Sequence, residues 1–454
     1  MTSTERRTVG ALAGIFGLRL LGLFLILPVF VLYAENSLSG ATPFLIGLAL
    51  GVYGLTQALF QIPFGMLSDR WGRKPLIVIG LVIFALGSGI AAVSDSIHGV
   101  ILGRMIQGMG AIAAVVLALT ADLTREEQRT KAMALIGVTI GLVFMLSLVL
   151  GPLLNGWIGV KGIFWLTAVL ALAGVGVVYW VPTPVAARRH RDVQLVPAQL
   201  AKVLANPVLL RLDAGIFVLH LVLTSMFVAV PLALVHEGGL AEAAHWKVYL
   251  PVIVLSVVGM APLVILSARK HLIQKVFIVS IALVLLAQAL FYFGHQSLPW
   301  LMFALWVFFV GFNTLEALLP STVSRAAPAD SKGTAMGVYN SFEFFGVFLG
   351  GTLGGWLYGA VGIGAVFQLC GALTLVWIVI VMTAPAPKLL DTRLLRVGPQ
   401  TEDGAPALAK RLVGIAGVVE AIVVAEEGIA YLKVDHKKLD GDSLQQFSVA
   451  TDLQ

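Results

Sequence analysis

Long apolar runs alternate with short polar segments along most of this 454-residue chain. A run of about 18 or more apolar residues is long enough to cross a hydrocarbon core about 30 Å thick. Twelve such runs follow one another, so we predict an all-α polytopic membrane protein with 12 transmembrane helices. The predicted spans are 9–33, 44–68, 75–94, 98–121, 132–154, 163–181, 212–235, 248–267, 273–294, 299–323, 334–359 and 361–384.

The positions of lysine and arginine predict how the chain is oriented. These residues concentrate in the N-terminal tail and in the loops that follow even-numbered spans, whereas the opposite loops hold only Lys161 and Lys247. Because positive residues favour the cytoplasmic side of a membrane, we expect both termini in the cytoplasm. Charged residues make up 12% of the chain, against roughly 25% in soluble domains. The net charge of +6 therefore indicates membrane topology, and we expect no nucleic acid as a partner.

A polar segment and an internal repeat divide the spans into two sets of six. The segment 182–211 carries a basic run at 188–191, which indicates a cytoplasmic linker rather than a nucleic-acid patch. Residues 131–157 and 332–356 share a pattern of small residues and occupy equivalent places in spans 5 and 11. Repeated halves are typical of secondary transporters. The predicted domains are a six-span bundle at 1–181, the linker 182–211, a second six-span bundle at 212–388 and a soluble domain at 389–454.

The last domain has the pattern of a small α+β fold. We predict strands at 394–398, 418–424 and 429–434, and helices at 405–413 and 443–447. This order suggests a ferredoxin-like fold, although no final strand is evident. Heavy-metal-associated domains have a similar shape, but this tail lacks a Cys-x-x-Cys motif, so we expect no metal and no cofactor.

The densest cluster of charge between two spans is Gly-Met-Leu-Ser-Asp-Arg-Trp-Gly-Arg-Lys-Pro at 65–75. It resembles the cytoplasmic loop between the second and third spans of the major facilitator superfamily. The matching positions in the loop are Gly65, Asp69, Arg70, Gly72 and Arg73.

Further segments at 55–63, 104–108 and 122–131, with the tail, resemble the YajR transporters, a bacterial branch of the twelve-span drug and proton antiporters. The chain departs from the antiporter pattern in span 5, where Asn155 follows Gly151-Pro152 and Ser147 replaces a glycine.

The resemblance implies two pseudo-symmetric bundles that rock around a central site lined by spans 1, 4, 7 and 10. It also implies that Asp69 latches onto the start of span 11, near 333–336. Arg70 and Arg73 would hold this aspartate, and Asp122 would complete the charge network. A carboxylate can meet the unpaired N–H groups at a helix start, which is the physical basis of such a latch. The alternative is that the basic residues only anchor the loop at the lipid surface.

Few charged residues lie inside the predicted spans, and such residues usually mark a substrate or proton path. Glu316 on span 10 is the first candidate for proton coupling and Glu343 on span 11 is the second. The alternative for either carboxylate is a structural ion pair across the bundle. Arg104 resembles the span 4 arginine that the family associates with proton transfer. It could equally form a structural tie to a span 1 carbonyl or to Gln107.

Polar residues on several spans are candidates for the substrate cavity. Each could contact substrate or simply tie helices together. His220 could titrate near pH 6.5, but a lone histidine in a bundle is more often hydrogen-bonded and inert. The candidates are Arg19, Gln57, Gln107, His220 and Asn313.

These observations predict a monomeric transporter in the bacterial inner membrane, with lipid, a small-molecule substrate and protons as its partners. We expect export of a small organic compound in exchange for protons. Uptake of a nutrient by symport or facilitated diffusion is the first alternative, because the span 5 pattern is imperfect. A membrane sensor with a ligand-binding tail is the second. Neither the residue spacings of an active site nor an ATP-binding loop occurs, so we expect no enzymatic activity.

Overall fold

Helices cross the membrane unit of this protein twelve times. The computed structural model describes residues 1–183, 197–269, 272–328, 331–385, 390–401, 403–425, 428–435 and 438–448. Ten helices of the described chain are long and apolar enough to cross a membrane, by length and composition. One of these, 131–180, bends at Gly159 and contains two spans. The glycine-rich helix Lys332–Ala360, which is less apolar, provides the remaining span.

The observed helices agree with the predicted spans to within a few residues at most ends. Their bounds are as follows: span 1 is Ser3–Phe24 and Phe30–Ser37, span 2 Pro43–Trp71, span 3 Arg73–Val93, span 4 Ile97–Met109 and Ala113–Asp122, spans 5 and 6 the two arms of Glu126–Trp180, span 7 Pro207–His236, span 8 Trp246–Ser267, span 9 Ile273–Gly294, span 10 Leu298–Ala326, span 11 Lys332–Ala360 and span 12 Ile363–Thr383.

Three predicted boundaries are corrected by the structure. Span 1 is not continuous, because the α-helix stops at Phe24 and restarts at Phe30, with Pro28 in the break. Span 4 is interrupted between Met109 and Ala113. Spans 5 and 6 have no separate loop, because the chain turns at the single residue Gly159. The backbone dihedral φ of Gly159 is 66°, a value that glycine adopts readily.

The predicted linker is partly helical. The helix Pro197–Leu204 occupies its second half, and the basic run at 188–191 lies outside the described residues. Span 7 begins at Pro207 rather than at residue 212. The Asn206 side chain accepts a hydrogen bond from the backbone N–H of Val208 at 3.0 Å, so an N-cap and a proline at the first helical position start this helix.

Glycine allows close approach of spans 2 and 11. A Cβ atom at Gly47 would lie 2.1 Å from the carbonyl oxygen of Gly351, and one at Gly355 would lie 2.3 Å from the carbonyl oxygen of Pro43. Span 7 meets span 11 in the same way, because a Cβ at Gly350 would lie 2.3 Å from the Leu221 carbonyl oxygen. Small residues at these positions permit backbone contact, as is common between membrane helices.

The outer faces of the spans expose large apolar side chains, including Trp157, Trp180 and Phe293. Exposed apolar surface on this scale is unfavourable in water, and it suits a protein surrounded by lipid. The chain is therefore a multi-pass membrane protein.

The tail folds around a three-stranded antiparallel sheet. Its strands are β1 (Asp391–Arg396), β2 (Val418–Val424) and β3 (Ile429–Val434), in the order β1-β3-β2. Helix Gly404–Val413 connects β1 to β2, and helix Gly441–Gln445 follows β3. This arrangement agrees with the first five elements of a ferredoxin-like fold.

The tail differs from its predicted pattern mainly at the ends of elements. Strand β1 begins three residues earlier than predicted, because Asp391 already pairs with Val434 of β3. The last helix begins at Gly441, because Asp440 caps it. Hydrogen bonds from Ser443 lower the pKa of the Asp440 carboxyl. Residues 449–454, where a fourth strand would fall, lie outside the described chain.

The tail contacts the end of span 10. Lys433 on β3 is 1% exposed, and its Nζ donates to the carbonyl oxygens of Ser324 at 3.4 Å and Arg325 at 3.1 Å. The last carbonyl groups of a helix lack partners within the helix and carry partial negative charge. Lys433 therefore stabilises the C-terminal end of span 10.

Candidate functional site

Three of the predicted residues meet inside the second set of six spans. His220 of span 7 lies with its Nδ1 3.7 Å from Glu316 Oε1 of span 10, and its Nε2 3.6 Å from Glu343 Oε1 of span 11. We call these residues the carboxylate–histidine cluster. The sequence identified each residue, but it gave no indication that one imidazole lies between both carboxyl groups.

The backbone packing of span 7 against span 11 brings the cluster together. A Cβ at Gly346 would lie 2.3 Å from the Phe217 carbonyl oxygen, so the two helices are in contact one turn from His220 and Glu343. The Glu316 and Glu343 side chains are 33% and 26% exposed, whereas the His220 side chain is 10% exposed. The two glutamate side chains are therefore partly exposed, although Glu316 Oε1 itself is buried, and the imidazole is largely enclosed.

Aromatic rings continue from the cluster. The ring centroids of His220 and Phe312 are 5.9 Å apart. The Phe312 centroid is 5.8 Å from that of Phe144 in span 5, and the Phe144 centroid is 5.1 Å from that of Phe24 in span 1. The sequence did not indicate this row of rings, although Phe308, Phe309 and Phe312 are close together in span 10. Aromatic faces beside carboxyl groups suit a ligand that has apolar and polar parts.

Asn313 of span 10 binds span 8. Its Nδ2 donates to Ser256 Oγ at 3.1 Å. This bond ties two helices, which is the second of the two roles that the sequence allowed for Asn313.

Arg19 and Gln57 form a network inside the first set of six spans. Arg19 Nη2 donates to Tyr53 Oη and to Gln57 Oε1, both at 2.7 Å. Gln57 Nε2 donates to Gln61 Oε1 at 2.9 Å. Arg19 and Gln57 are both buried, so the structure encloses two predicted cavity residues among the helices of this bundle.

Arg104 and Gln107 of span 4 form a second enclosed network. Arg104 donates to the carbonyl oxygens of Ala49 and Leu50 at 3.3 and 3.4 Å, and to Gln107 Oε1 at 3.0 Å. Gln107 Nε2 donates to Ser88 Oγ at 2.6 Å. These contacts match the structural tie that the sequence left open, except that the carbonyl groups belong to span 2 rather than to span 1.

The loop after span 2 forms an ionic network through one arginine. Arg73 Nη1 lies 2.5 Å from Asp69 Oδ1, and Arg73 Nε lies 3.1 Å from Asp122 Oδ2 at the end of span 4. Arg70, which was expected to share this task, is exposed and forms no ion pair among the described residues. Arg73 begins span 3 directly after the turn at Gly72, and it reaches back to Asp69 near the end of span 2.

The two glycines of the loop allow it to take its shape. Gly72 has φ of 92° at the point where span 2 ends and span 3 begins, a conformation that favours glycine. Gly65 lies next to span 4, where an added Cβ would be 3.7 Å from the Ala114 side chain. A short turn at Gly72 places Arg73 within reach of both acidic partners.

A separate cavity of about 330 Å³ lies at the end of the spans opposite the 65–75 loop. Its polar lining includes Tyr33, Asn155, Lys161 and Glu242. None of the carboxylate–histidine cluster lines it, and Lys161 pairs with the exposed Asp95 beside it. The buried titratable groups of the cluster make the cluster the better candidate for the functional site.

Two buried polar residues near the cluster were missed by the sequence analysis. Asp213 of span 7 is 1% exposed and Tyr339 of span 11 is 2% exposed. Neither Asp213 Oδ1 nor the Tyr339 hydroxyl has a hydrogen-bond partner in the described chain. Asp213 was overlooked because the predicted span began at residue 212, which placed the carboxyl group at the membrane edge.

The chain matches a known family of membrane transporters. The family profile described as Major Facilitator Superfamily matches residues 12–351 and 274–406. The chain belongs to this superfamily, as its loop at 65–75 predicted.

Particular members of the superfamily are similar over different lengths. The inner membrane transport protein YajR of Escherichia coli (strain K12) is 44% identical over 447 residues, which cover 98% of both chains. The class B tetracycline resistance protein of Escherichia coli is 33% identical over 141 residues, or 31% of this chain and 34% of that protein.

Solved structures support the fold. The nucleoside transporter NupG superimposes with a TM-score of 0.67 at 14% identity, covering 83% of this chain and 99% of that one. A bacterial homologue of the human lysosomal transporter Spinster, in an inward-facing and unoccupied conformation, gives a TM-score of 0.65 at 14% identity, with 84% and 96% coverage. At this level of identity the likeness shows the fold alone.

Proposed function

We propose that this protein exports a small organic compound across the bacterial inner membrane in exchange for protons. The observation that carries the proposal is the contact of His220 with both Glu316 and Glu343. Ionisable groups inside membrane spans are costly, and they commonly serve substrate binding or proton transfer. The cluster therefore supplies groups that can bind protons inside the spans.

The cluster can couple proton binding to substrate binding. Two carboxyl groups and one imidazole can hold different numbers of protons, and a positively charged or hydrogen-bonding substrate competes for the same carboxylates. A proton or a substrate shifts the transporter towards the conformation that it binds more tightly. Exchange follows if the two ligands bind the cluster alternately.

Two contacts support alternating access. Spans 2 and 11 touch through the backbone at Gly47 and Gly351. No side chains interlock at this contact, so the two spans can move apart without rearranging side chains. The pairs of Arg73 with Asp69 and Asp122 form the other contact, which a change in helix positions would break. Each contact gives one conformation a free-energy advantage over the other.

The direction of transport rests on similarity. The relative named as a tetracycline resistance protein matches about a third of this chain, and resistance is consistent with export of a small organic compound. Uptake by symport uses the same cluster but moves protons in the same direction as substrate. The sign of the proton flux separates the two functions.

The charge distribution supports an orientation with both termini in the cytoplasm, where 389–454 would form a soluble domain. The linker 182–211 and the latch of Asp69, Arg73 and Asp122 would then lie on the same side. We take the transport unit to be a single chain, because the cluster is complete within it.

Transport by the full chain in liposomes tests the proposal. A pH-sensitive dye inside the liposomes reports proton movement while organic cations, phenicol-like drugs and sugars are added under an imposed proton gradient. We expect at least one compound to drive proton movement opposite to its own. The Glu316→Gln variant should lower this movement by roughly 100-fold, since it removes a proton-accepting group.

Asp95→Asn provides the matched control, because Asp95 is an exposed carboxylate outside the cluster. It should transport as the wild type does. Equal proton movement in the Glu316→Gln variant would contradict the assignment of this residue, and proton movement in the same direction as substrate would replace export with uptake.

A further inference from the structure

Asp213 is a buried carboxyl group for which the described chain provides no partner. It lies in the second turn of span 7, and its Oδ1 has no hydrogen bond. No residue in the described ranges forms an ion pair with it. An ionised carboxylate without a partner in this position costs several kcal/mol, so the group is favoured as the neutral acid.

Asp213 lies on the same side of span 7 as the cluster. Asp213 and His220 are seven residues apart, which is about two turns of a helix, so both side chains project from one face. Their separation along the helix axis is about 10.5 Å at 1.5 Å per residue. Asp213 is the nearer of the two to the start of span 7.

Tyr339 is near enough to Asp213 and to the carboxyl groups of the cluster for their charges to act on it. It precedes Glu343 by one turn of span 11, and it interacts electrostatically with Glu316, Glu343 and Asp213. Its buried hydroxyl has no hydrogen-bond partner in the described chain. A phenol can both donate and accept a hydrogen bond, as a proton relay requires.

Within the part of the chain that the structure describes, the other helix surfaces beside Asp213 add no ion pair to it. Span 12 places Trp377 against Gly215, and this side chain does not titrate. The titratable groups that face the region are Tyr339 and Glu343 from span 11, Glu316 from span 10 and His220 from span 7 itself.

We propose that Asp213 is a second proton-binding residue, which connects the cluster to the end of the membrane unit where span 7 begins. A proton leaves the Asp213 carboxyl group for the Tyr339 hydroxyl oxygen, with water where the distance requires it, as the Tyr339 proton passes to the Glu343 carboxylate. Each step breaks one O–H bond and forms another, with no redox change. The role in transport rests on the proposed function, whereas the protonation of Asp213 does not.

Infrared spectroscopy of the purified full chain tests the protonation without any substrate. The carbonyl stretch of a neutral carboxyl group is separate from the bands of carboxylates. We expect Asp213→Asn to remove one such band at neutral pH, and Asp213→Glu to restore it at a shifted position. The matched control Asp95→Asn should leave the neutral-acid bands unchanged.

The Tyr339→Phe variant tests the relay. It should retain the Asp213 band. After transfer into D2O, the rate at which the carboxyl bands of the cluster shift should be lower than in the wild type by roughly tenfold or more. An unchanged spectrum in folded Asp213→Asn would overturn the protonation, and an unchanged exchange rate in Tyr339→Phe would overturn the relay. Absent proton transport in liposomes with an intact Asp213 band would refute the proposed function alone.

Discussion

The two arginine networks of the first bundle differ from the carboxylate–histidine cluster of the second. In the first, Arg104 donates to two backbone carbonyls and to Gln107, and Arg19 donates to Tyr53 and Gln57. In the second, the nearest contacts of the cluster are 3.6 and 3.7 Å, and the Asp213 and Tyr339 oxygens have no partners in the described chain.

This contrast separates polar groups that hold the fold together from those available for chemistry. A hydrogen bond at about 2.7–3.2 Å fixes both partners, whereas a contact beyond 3.5 Å leaves the groups free to bind a proton or a ligand. The proposed function therefore assigns the proton-binding groups to the second bundle.

The largest expected effect on stability is that of Arg104→Leu. This change removes three hydrogen bonds and leaves Gln107 Oε1 without its donor. We expect the free energy of unfolding in mixed micelles, measured by titration with sodium dodecyl sulfate, to fall by about 3 kcal/mol. Arg393→Leu, on the exposed surface of the tail, is the control and should have little effect. Wild-type stability of Arg104→Leu would remove the contrast between the bundles.

Glu343→Gln should behave in the opposite manner. The carboxyl group has no short hydrogen bond to lose, so the free energy of unfolding should change by less than about 1 kcal/mol in the same titration. Coupled proton movement in liposomes should nevertheless fall. A loss of stability as large as that of Arg104→Leu would mean that the cluster is a structural ion pair.

Asn313→Ala gives the smallest expected effect and sharpens the comparison within the second bundle. It removes a single side-chain hydrogen bond to Ser256, of a kind worth about 0.6 kcal/mol between membrane helices. Unfolding titrations should detect this small loss while proton movement remains close to that of the wild type. A complete loss of transport would instead make Asn313 part of the substrate site.

The hydrophobic pattern predicted most of the fold because membrane spans are set by local composition. Each span is a continuous apolar segment, and lipid requires its backbone to be helical. Boundaries were less accurate where single residues intervene, as at Gly159, which joins spans 5 and 6 without a loop. In the tail, alternating residues identified strands β2 and β3 at their observed ends.

The sequence by itself determined the family, the number of spans and the identity of several buried polar residues, including Arg19, Arg104 and His220. It did not determine that His220 lies between Glu316 and Glu343, or that Asp213 and Tyr339 have no partners. Those facts depend on which faces of spans 7, 10 and 11 meet. The composition of a helix is a local property. The rotation of a helix about its own axis, which decides the face that meets its neighbours, depends on contacts between residues far apart in the chain, such as that of Gly346 with Phe217.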